Sequence, residues 1–486
     1  MKQTTIVTRR EFMKKSSAAT VGIATGLSLW GTRQSWAGAN DRVRVAVVGI
    51  RGHGKNHYQN YSQLDNVEVA ALCEVDENLL PERLKWFEEN NKPKPKFYYD
   101  IRKLLEDKDI DAISVATPNH WHALMGIWAA QAGKHAHLEK PFTHNVFEGQ
   151  QLIKAAKKYK VIIHHGTELR SSSCCQEAMK LLHEGVIGEV YMAKGICYKW
   201  RDSIGKYPDG PIPEGENFSM TIRANPIDQP YTENYLKKVH YDLWMGPAPQ
   251  KPFSRNRFHY NWHWQWDYGN GDIGNQGIHQ MDVARWGLGV TLPVKISSLG
   301  GHFMFDDDQE TPNSQISVFE FPNPEGGGDK KKILQFEVRH WITNNEGNIA
   351  KGFQEHTSQG YMVSPSNVIG NIFYGSEGYM VFEGNWFKTF LGRNREPGPS
   401  GTQAGSANLA HYQNFIDAIR ANDPAILKGN VREGHYSCAL VHLANTSYRL
   451  GRSLNFDPNR EKYVDDDEAN KMLTRKYRKP YVITTI

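Results

Sequence analysis

The chain has 486 residues, of which 39% are hydrophobic and 11% aromatic, a composition typical of a soluble globular protein with two or three domains. Its formal net charge is +5, and this whole excess falls within residues 1–37, which carry six Lys or Arg and one Glu. The remaining chain has no Lys/Arg block interleaved with aromatic residues, so we expect no nucleic-acid partner. The five cysteines are sparse, odd in number and without a C-x-x-C spacing, which argues against a disulfide framework and a cysteine zinc site.

Residues 1–37 have the pattern of a twin-arginine export signal. The segment TRREFMKK (residues 8–15) contains the paired arginines, a mildly apolar stretch (18–30) follows, and Ser35-Trp36-Ala37 resembles a small-x-small cleavage site. The apolar stretch is too short for a permanent anchor. We therefore expect a periplasmic protein, exported in the folded state, with no transmembrane anchor after processing. Its predicted domains are residues 38–165 and 166–486.

The first domain opens with a pattern that predicts a dinucleotide site. A β-branched run (residues 42–50) predicts a buried parallel strand, which ends in the Gly-rich turn GIRGHG. A helix, a second strand (67–73) and an acid follow. Such a turn lets backbone N–H groups approach a pyrophosphate, and the acid suits a ribose diol. The predicted cofactor residues here are Gly49, Arg51, Gly52, Gly54 and Glu74. Arg51 replaces the usual second Gly, and Glu74 would repel a 2′-phosphate, which favours NAD over NADP.

Two later strands are predicted to end on the same side of the sheet. The strand at 110–116 leads into TPNHWH (117–122), before a helix expected to begin near His122. The strand at 134–138 leads into Glu139-Lys140-Pro141, and a residue that precedes Pro favours extended geometry. Ligands bind in the crevice outside the carboxyl ends of such strands. Lys140 can therefore hold a substrate hydroxyl or help to move its proton, although an isolated tripeptide of this kind is more often a surface turn.

The order and spacing of these motifs resemble one known family. The Gly-rich turn, ATPNHWHA (116–123) and AGKHAHLEKP (132–141) are similar to the glucose–fructose oxidoreductase, inositol dehydrogenase and rhizopine-catabolism family, Gfo/Idh/MocA. The resemblance implies that Lys140 is the catalytic or proton-relay lysine and that Glu139 faces the nicotinamide ribose. It assigns to the nicotinamide half of the site the residues Thr117, Pro118, Asn119 and His122.

The resemblance also implies the fold: an α/β Rossmann domain followed by an α+β domain with a large, mainly antiparallel open sheet. The outer face of that sheet often makes a subunit contact in the family, so we expect a homo-oligomer, a dimer or a tetramer. Arg170 lies at the expected crossing into the second domain and is predicted to contact substrate. Helices within 408–451 are expected to pack back toward the first domain.

Alternating patterns in the second half predict the sheet directly. A helix is predicted at 176–182, and strands at 191–198, 294–299, 315–321, 332–339 and 378–382. The stretch 206–230 is rich in Pro, Gly and Asn and is expected to form a loop near the cleft.

The segment 258–282, FHYNWHWQWDYGNGDIGNQGIHQMD, gathers aromatic and hydrogen-bonding side chains. Aromatic faces stack on sugar rings, and neighbouring Asn, Asp and His can bond their hydroxyls. Several of the Trp residues must nevertheless belong to the core. The predicted substrate residues are Trp262, His263, Trp266, Asp272 and His279. A metal site built from His259, His263 and Asp272 has no firm ligand pattern, and no metal is predicted.

The resemblance further implies an Asp-x-x-x-His pair, one turn apart at the start of a helix. His279 matches the His, whereas Asn275 stands at the Asp position. Asn cannot hold a charge but can orient a hydroxyl. The general base is therefore placed at His279, assisted by Lys140, with Asp272 in reserve.

These features predict an NAD-dependent oxidoreductase that moves a hydride between tightly held nicotinamide and a ring hydroxyl of a sugar, glycoside or cyclitol. Tight retention follows from export, because free NAD is scarce outside the cytoplasm. Transfer between two sugars and redox-assisted glycoside hydrolysis (oxidation, elimination, re-reduction) stay open. A non-catalytic sugar-binding protein is the other alternative. Asn275 and Arg51 favour it slightly, and Lys140 with His279 argues against it.

Overall fold

The computed structural model describes residues 42–199, 201–213, 231–323, 330–340 and 367–486. The export signal and most of the expected loop at 206–230 lie outside these ranges. Among the described helices, none is both long enough and apolar enough to cross a membrane. The five cysteines are buried free thiols.

Six strands form the first sheet: β1 Val43–Val48, β2 Val67–Cys73, β3 Lys96–Tyr98, β4 Ala112–Val115, β5 His135–Glu139 and β6 Ile163–Gly166. They are parallel and lie in the order β3-β2-β1-β4-β5-β6. Strand β4 is buried along its whole length, and β1 nearly so, which explains their continuous apolar sequence. This is the Rossmann order, in which ligands bind at the point between β1 and β4 where the order of the strands reverses.

Helices cover this sheet: α1 Gly54–Tyr61, α2 Leu80–Glu89, α3 Ile101–Glu106, α4 Asn119–Gln131 and α5 Val146–Tyr159. Helix α4 begins at Asn119, earlier than the start expected near His122. Pro118 occupies the N-cap, where an imino residue is tolerated. The His120 N–H donates to the carbonyl of Tyr268 and is satisfied there. Residues 119–121, expected to precede the helix, therefore form its buried first turn.

The second sheet has ten described strands: β7 Val190–Tyr198, β8 Lys295–Gly301, β9 Ser314–Pro322, β10 Lys331–Arg339, β11 Val368–Gly375, β12 Gly378–Glu383, β13 Trp386–Leu391, β14 Glu396–Thr402, β15 Leu454–Asp457 and β16 Lys462–Tyr463. Their order is β14-β13-β12-β11-β7-β10-β9-β8-β15-β16. Only the β7–β10 pair is parallel among these described strands. In β9 the buried Phe319 and Phe321 alternate with outward residues, so one sheet face packs on the core.

The remaining helices are α6 Ser173–His183, α7 Glu233–Leu236, α8 Tyr241–Met245, α9 Gly271–Asn275, α10 Gly277–Leu288, α11 Ala407–Ala421, α12 Val431–Leu450 and α13 Asp467–Lys471. Helix α11 returns to the first sheet, where Phe415 and Ile416 pack with Val45 and Val47. Helix α12 contributes Leu440 and Val441 to the core that continues into the second sheet. The end of the chain thus packs against both sheets.

A buried ion-pair network marks the crossing between the two sheets. After β6 the chain forms a short 3₁₀ helix, Glu168–Ser171. Arg170 of this turn pairs with Asp282 of α10 at 2.8 Å and with Glu433 of α12 at 3.1 Å. Arg285 of α10 also pairs with Glu433. Arg170 is therefore engaged in joining three elements of the fold.

Candidate active site

A cleft of about 440 Å³ opens at the carboxyl ends of β1, β2, β4 and β5. The predicted residues that line it are Gly49, Arg51, Gly52, Glu74, Thr117, Pro118, Asn119, His122, Glu139, Lys140, Trp262, His263, Asn275 and His279. The predicted residues outside its lining are Gly54, Arg170, Trp266 and Asp272. Residues more than 200 positions apart in sequence thus meet at the end of the sheet where such folds bind ligands.

The Gly-rich turn is shaped by backbone contacts. Gly49 has φ +80°, and a Cβ there would lie 2.9 Å from the Ala116 carbonyl carbon. A Cβ on Gly54 would lie 1.8 Å from the Gly49 oxygen, so Gly54 serves close packing beneath the turn and does not line the cleft. The buried Arg83 of α2 donates to the carbonyls of Ile50 and Arg51, each at 2.9 Å. The turn is therefore fixed from behind, while its other side faces the cleft.

Glu74 follows β2 and faces the same cleft. Its carboxylate accepts hydrogen bonds from the backbone N–H groups of Ile50 (2.9 Å), Val75 (2.8 Å) and Asp76 (3.1 Å). Burial raises the pKa of Glu74 to about 7, although these hydrogen bonds act in the opposite direction. The acid thus stands beside the Gly-rich turn, where a ribose diol is bound in dinucleotide folds.

The segment after β4 is tied to the segment after β5 by His122. Its Nδ1 lies 2.8 Å from the carbonyl oxygen of Pro141, and its Nε2 lies 2.7 Å from that of Thr117. Asn119 Nδ2 donates to Asn270 Oδ1 at 3.0 Å. These contacts hold the polar residues of the first helical turn of α4 at the edge of the cleft.

Lys140 and Asn275 meet across the cleft. Lys140 Nζ donates to the main-chain oxygen of Asn275 at 2.6 Å. The Asn275 side chain donates instead to Asp272 Oδ1 at 3.0 Å. Asp272 is buried behind it, within 2.8 Å of Arg201 and 2.9 Å of His340. Burial alone would raise the pKa of Asp272, but Arg201 and His340 outweigh it and hold that pKa well below its ordinary value. Asp272, which was predicted to contact substrate, is therefore held by buried partners behind the cleft and does not line it.

His279 lies in α10, beyond a break at Gln276 that separates α10 from α9. Asn275 and His279 consequently stand on two successive helices, and not on one turn of a single helix as expected. At this break the backbone of Gly277 packs closely against the Phe336 ring, since a Cβ on Gly277 would lie 2.4 Å from that ring. Burial lowers the pKa of His279, so the ring is neutral at neutral pH and able to accept a proton.

An aromatic wall closes one side of the cleft. The Trp262 and His263 rings are stacked with centroids 3.6 Å apart on a 3₁₀ helix, Asn261–Trp264. Burial lowers the pKa of His263 to about 3, so this ring is neutral. Trp264 belongs to the core. Trp266 lies away from the cleft, under the Arg449 guanidinium at 4.9 Å, and is not positioned to contact a ligand there.

The three residues considered above as a possible metal site, His259, His263 and Asp272, each bond to a different protein group. His259 Nε2 lies 2.7 Å from Asp76 Oδ2, and His263 Nδ1 lies 2.6 Å from the Tyr260 carbonyl oxygen. Asp272 is held by Arg201 and His340, as described above.

Sequence reasoning missed several polar residues of the site. His53 and His57 each place Nε2 3.2 Å from Glu139 Oε1. Burial alone would raise the pKa of Glu139, but the two histidines hold it well below its ordinary value. His53 and His57 are four residues apart, a spacing that places two side chains on one face of a helix, and this spacing could have indicated the pair from the sequence. Glu168 and Lys199 also line the cleft, and only the fold brings them there.

Two family models match the chain. One is the oxidoreductase family, NAD-binding Rossmann fold, of Gfo/Idh/MocA, at residues 43–167. The other is the C-terminal alpha/beta domain of the same family, at residues 228–302 and 405–483. Together they cover more than half of the chain.

Curated relatives match over a shorter stretch. A glycosyl hydrolase family 109 protein of Shewanella baltica (strain OS185) is 32% identical over 169 residues, which are 31% of this chain and 37% of that protein. A protein of the same name from Shewanella pealeana is 34% identical over 122 residues, 24% of this chain and 27% of that protein. The chain thus matches well under half the length of these relatives.

Solved structures share the fold along most of the chain. The aldose–aldose oxidoreductase of Caulobacter crescentus, complexed with glycerol, has a TM-score of 0.59 at 16% identity, covering 85% of this chain and 100% of that one. Levoglucosan dehydrogenase with NADH and levoglucosan gives 0.58 at 17%, covering 88% and 100%. The WlbA dehydrogenase of Bordetella pertussis, with NADH and UDP-GlcNAcA, gives 0.57 at 18%, covering 86% and 99%. These likenesses show the shared fold, and the two family models show that the chain belongs to the Gfo/Idh/MocA oxidoreductase family.

Proposed function

We propose that this chain is an NAD-dependent oxidoreductase that acts on a ring hydroxyl of a sugar, glycoside or cyclitol. One observation carries the proposal: a single cleft brings the neutral His279 and the Lys140 ammonium together with the Gly-rich turn and Glu74. A base, a cation and a dinucleotide cradle in one cleft are what alcohol oxidation requires.

The residues present fit NAD. Gly52 has no atom within 4 Å of the place where a Cβ would stand, so the turn is open toward the cleft. The N-terminus of α1 follows directly and suits a pyrophosphate. Glu74 suits a ribose diol and opposes a 2′-phosphate. NAD, when bound, supplies a hydride acceptor, and its retention after export is part of this proposal.

His279 is the group that takes the hydroxyl proton. It is buried and neutral, and its Nδ1 has no hydrogen-bond partner among the described residues. Lys140 has three N–H donors, of which one is used by the Asn275 carbonyl. The others are available to a substrate hydroxyl, which they would hold toward His279 and make more acidic.

The Trp262–His263 wall supports a cyclic polyol as the substrate class, because stacked aromatic faces pack well on the CH face of a sugar ring. Two structures with the same fold contain levoglucosan or a UDP-linked sugar, which agrees with this class.

The test compares His279→Ala and Lys140→Ala with the parent protein in a panel of sugars and glycosides. Loss of a general base or its partner is expected to lower kcat by about 10²- to 10⁴-fold. Circular dichroism checks that both variants fold. If both variants fold and bind sugar with altered affinity alone, the chain is a binding protein and the proposal fails.

Redox-assisted cleavage of a glycoside is the second candidate, because the curated relatives are named glycosyl hydrolase family 109 proteins. The two activities share proton removal by His279 and differ in their products. Nitrophenyl glycosides separate them: release of nitrophenol with no net change in nicotinamide absorbance supports cleavage. Stoichiometric NADH formation without nitrophenol supports simple oxidation.

We also propose that the protein reaches the periplasm by the twin-arginine route. The paired arginines, the apolar stretch and the cleavage pattern in residues 1–37 support this. The N-terminal sequence of the mature protein tests it, together with retention of an Arg9→Lys/Arg10→Lys double variant in the cytoplasm.

We further propose that the protein forms a homo-oligomer, a dimer or a tetramer, through the outward face of the second sheet. Leu299 of β8 and Ile316 of β9 are register partners, and their side chains are 71% and 46% exposed. Ile333 of β10 is a further exposed apolar residue of this sheet. An apolar patch of this kind favours a second copy of the chain.

A further inference from the structure

Among the described residues, the hydrogen bonds of Asn275 go to Asp272 and Lys140 and not to His279. The Asn275 side-chain amide donates to Asp272 Oδ1 at 3.0 Å, and its main-chain oxygen accepts from Lys140. A carboxylate at position 275 would stand at hydrogen-bond distance from the ionised Asp272, where two like charges repel. The Arg201–Asp272–His340 group behind the cleft thus accounts for an amide at this position, and His279 has no carboxylate partner at position 275.

Four charged groups from three directions act on the His279 ring. They are Glu168 from the 3₁₀ helix, Lys140 and Glu139 from the end of β5, and Asp282 from the same helix as His279. Three of them are engaged elsewhere: Asp282 by Arg170, Glu139 by His53 and His57, and Lys140 by the Asn275 carbonyl. Among the described residues, Glu168 is the carboxylate within ion-pair distance of the His279 ring, a pair that becomes ionic when the ring is protonated.

The distance and the exposure of Glu168 suit such a pair. Glu168 Oε2 lies 3.6 Å from His279 Nδ1, which is just beyond a hydrogen bond. The Nδ1 atom is buried and has no hydrogen-bond partner in the described part of the chain. The Glu168 side chain is 34% exposed and lines the cleft, so a small rotation can close the gap.

We infer that Glu168 is the positioning carboxylate of His279, in the place that the Asp of the Asp-x-x-x-His pair would fill. A hydrogen bond from Nδ1–H to Glu168 fixes the tautomer in which Nε2 carries the lone pair that accepts the substrate proton. The carboxylate then stabilises the imidazolium that results. Glu168 acts through His279, and its role in turnover rests on the proposed function.

The first test is independent of turnover. The pKa of His279 is measured by NMR on full-length histidine-labelled protein without cofactor or sugar, in the parent and in Glu168→Gln. Loss of a neighbouring carboxylate is expected to lower that pKa by about 1 unit. Glu177→Gln, at an exposed position of α6, is the matched control and leaves it unchanged. Equal His279 pKa values in the parent and both variants would overturn the pairing.

The second test is the pH profile of turnover. In Glu168→Gln the acid limb of kcat/KM moves to lower pH, because the base has a lower pKa, and kcat falls by on the order of 10²-fold with little change in KM. Glu168→Asp keeps the charge and recovers part of kcat. If the parent has no turnover, the proposed function fails while the NMR test of the pair stands. If the parent is active and Glu168→Gln has the same profile, the assignment of Glu168 alone fails.

Discussion

Single carboxylates in this cleft differ in ionisation because their neighbours differ. Glu139 touches two histidines, which hold its pKa well below the ordinary range. Glu74 accepts hydrogen bonds from three backbone N–H groups and has no basic partner in the described part of the chain, and burial raises its pKa to about 7. Two acids at the carboxyl ends of β2 and β5, in the same parallel sheet, thus present different charges to a bound dinucleotide at neutral pH.

Cofactor preference should therefore depend on pH through Glu74. Above pH 7 its carboxylate is ionised and repels a 2′-phosphate, whereas below pH 7 it is protonated and the repulsion weakens. We expect the preference for NADH over NADPH, measured as a ratio of Kd values by fluorescence titration, to be larger at pH 8 than at pH 6.5.

Glu74→Gln is the matched control for that experiment, because it removes the charge and keeps the size. It should show a reduced preference with the smaller pH dependence that the 2′-phosphate itself contributes. The same pH dependence in the parent and in Glu74→Gln would show that Glu74 does not face the ribose.

At the scale of helices and strands, the sequence predicted the elements whose bounds depend on neighbouring residues in the chain. Strands such as β9 and β10 lie within one residue of their predicted bounds, because alternation of apolar residues reports a half-buried strand. The start of α4 and the break between α9 and α10 were missed. The first depends on a partner carbonyl at Tyr268, and the second on the approach of Gly277 to Phe336. Neither contact is visible in a short window of sequence.

The residues of the cleft likewise divide into those that a local motif predicts and those whose role depends on distant partners. The Gly-rich turn, Glu74, Lys140 and His279 were predicted, because each belongs to a motif with a recognisable order. Arg170 and Asp272 were assigned to substrate, yet the fold uses them in buried ion pairs with residues 71 to 112 positions away. Whether a charged residue binds a ligand or another side chain depends on these distant partners.

The ion pair between Arg170 and Asp282 should be important for stability. Both side chains are nearly fully buried, so Arg170→Ala removes the bidentate partner of a buried carboxylate and leaves it Ser437 and the more distant Arg285, at 3.8 Å. We expect the free energy of unfolding in urea to fall by about 3–5 kcal/mol. Arg102→Ala, which breaks an exposed pair with Asp100, should cost no more than about 1 kcal/mol. Similar losses in the two variants would contradict this view of Arg170.

On the scale of the whole molecule, the outward face of the second sheet is the surface expected to pair two copies. Leu299→Asp/Ile316→Asp places two charges on that face without touching the cleft. We expect light scattering after size-exclusion chromatography to show a dimer or tetramer for the parent and a monomer for the double variant. A parent that is monomeric at all concentrations would remove the proposed interface.

One buried apolar cluster runs through both sheets and helix α12, and a second cluster joins the first sheet to helix α11. This arrangement leads to the central claim: the cleft holds a nicotinamide and uses it on a cyclic polyol. The most direct measurement is the absorbance near the NADH band of mature protein purified without added cofactor, followed by addition of sugars and glycosides. The account predicts a bound nicotinamide whose absorbance responds to one sugar class. A bare protein that ignores NAD, NADP and every sugar would contradict it.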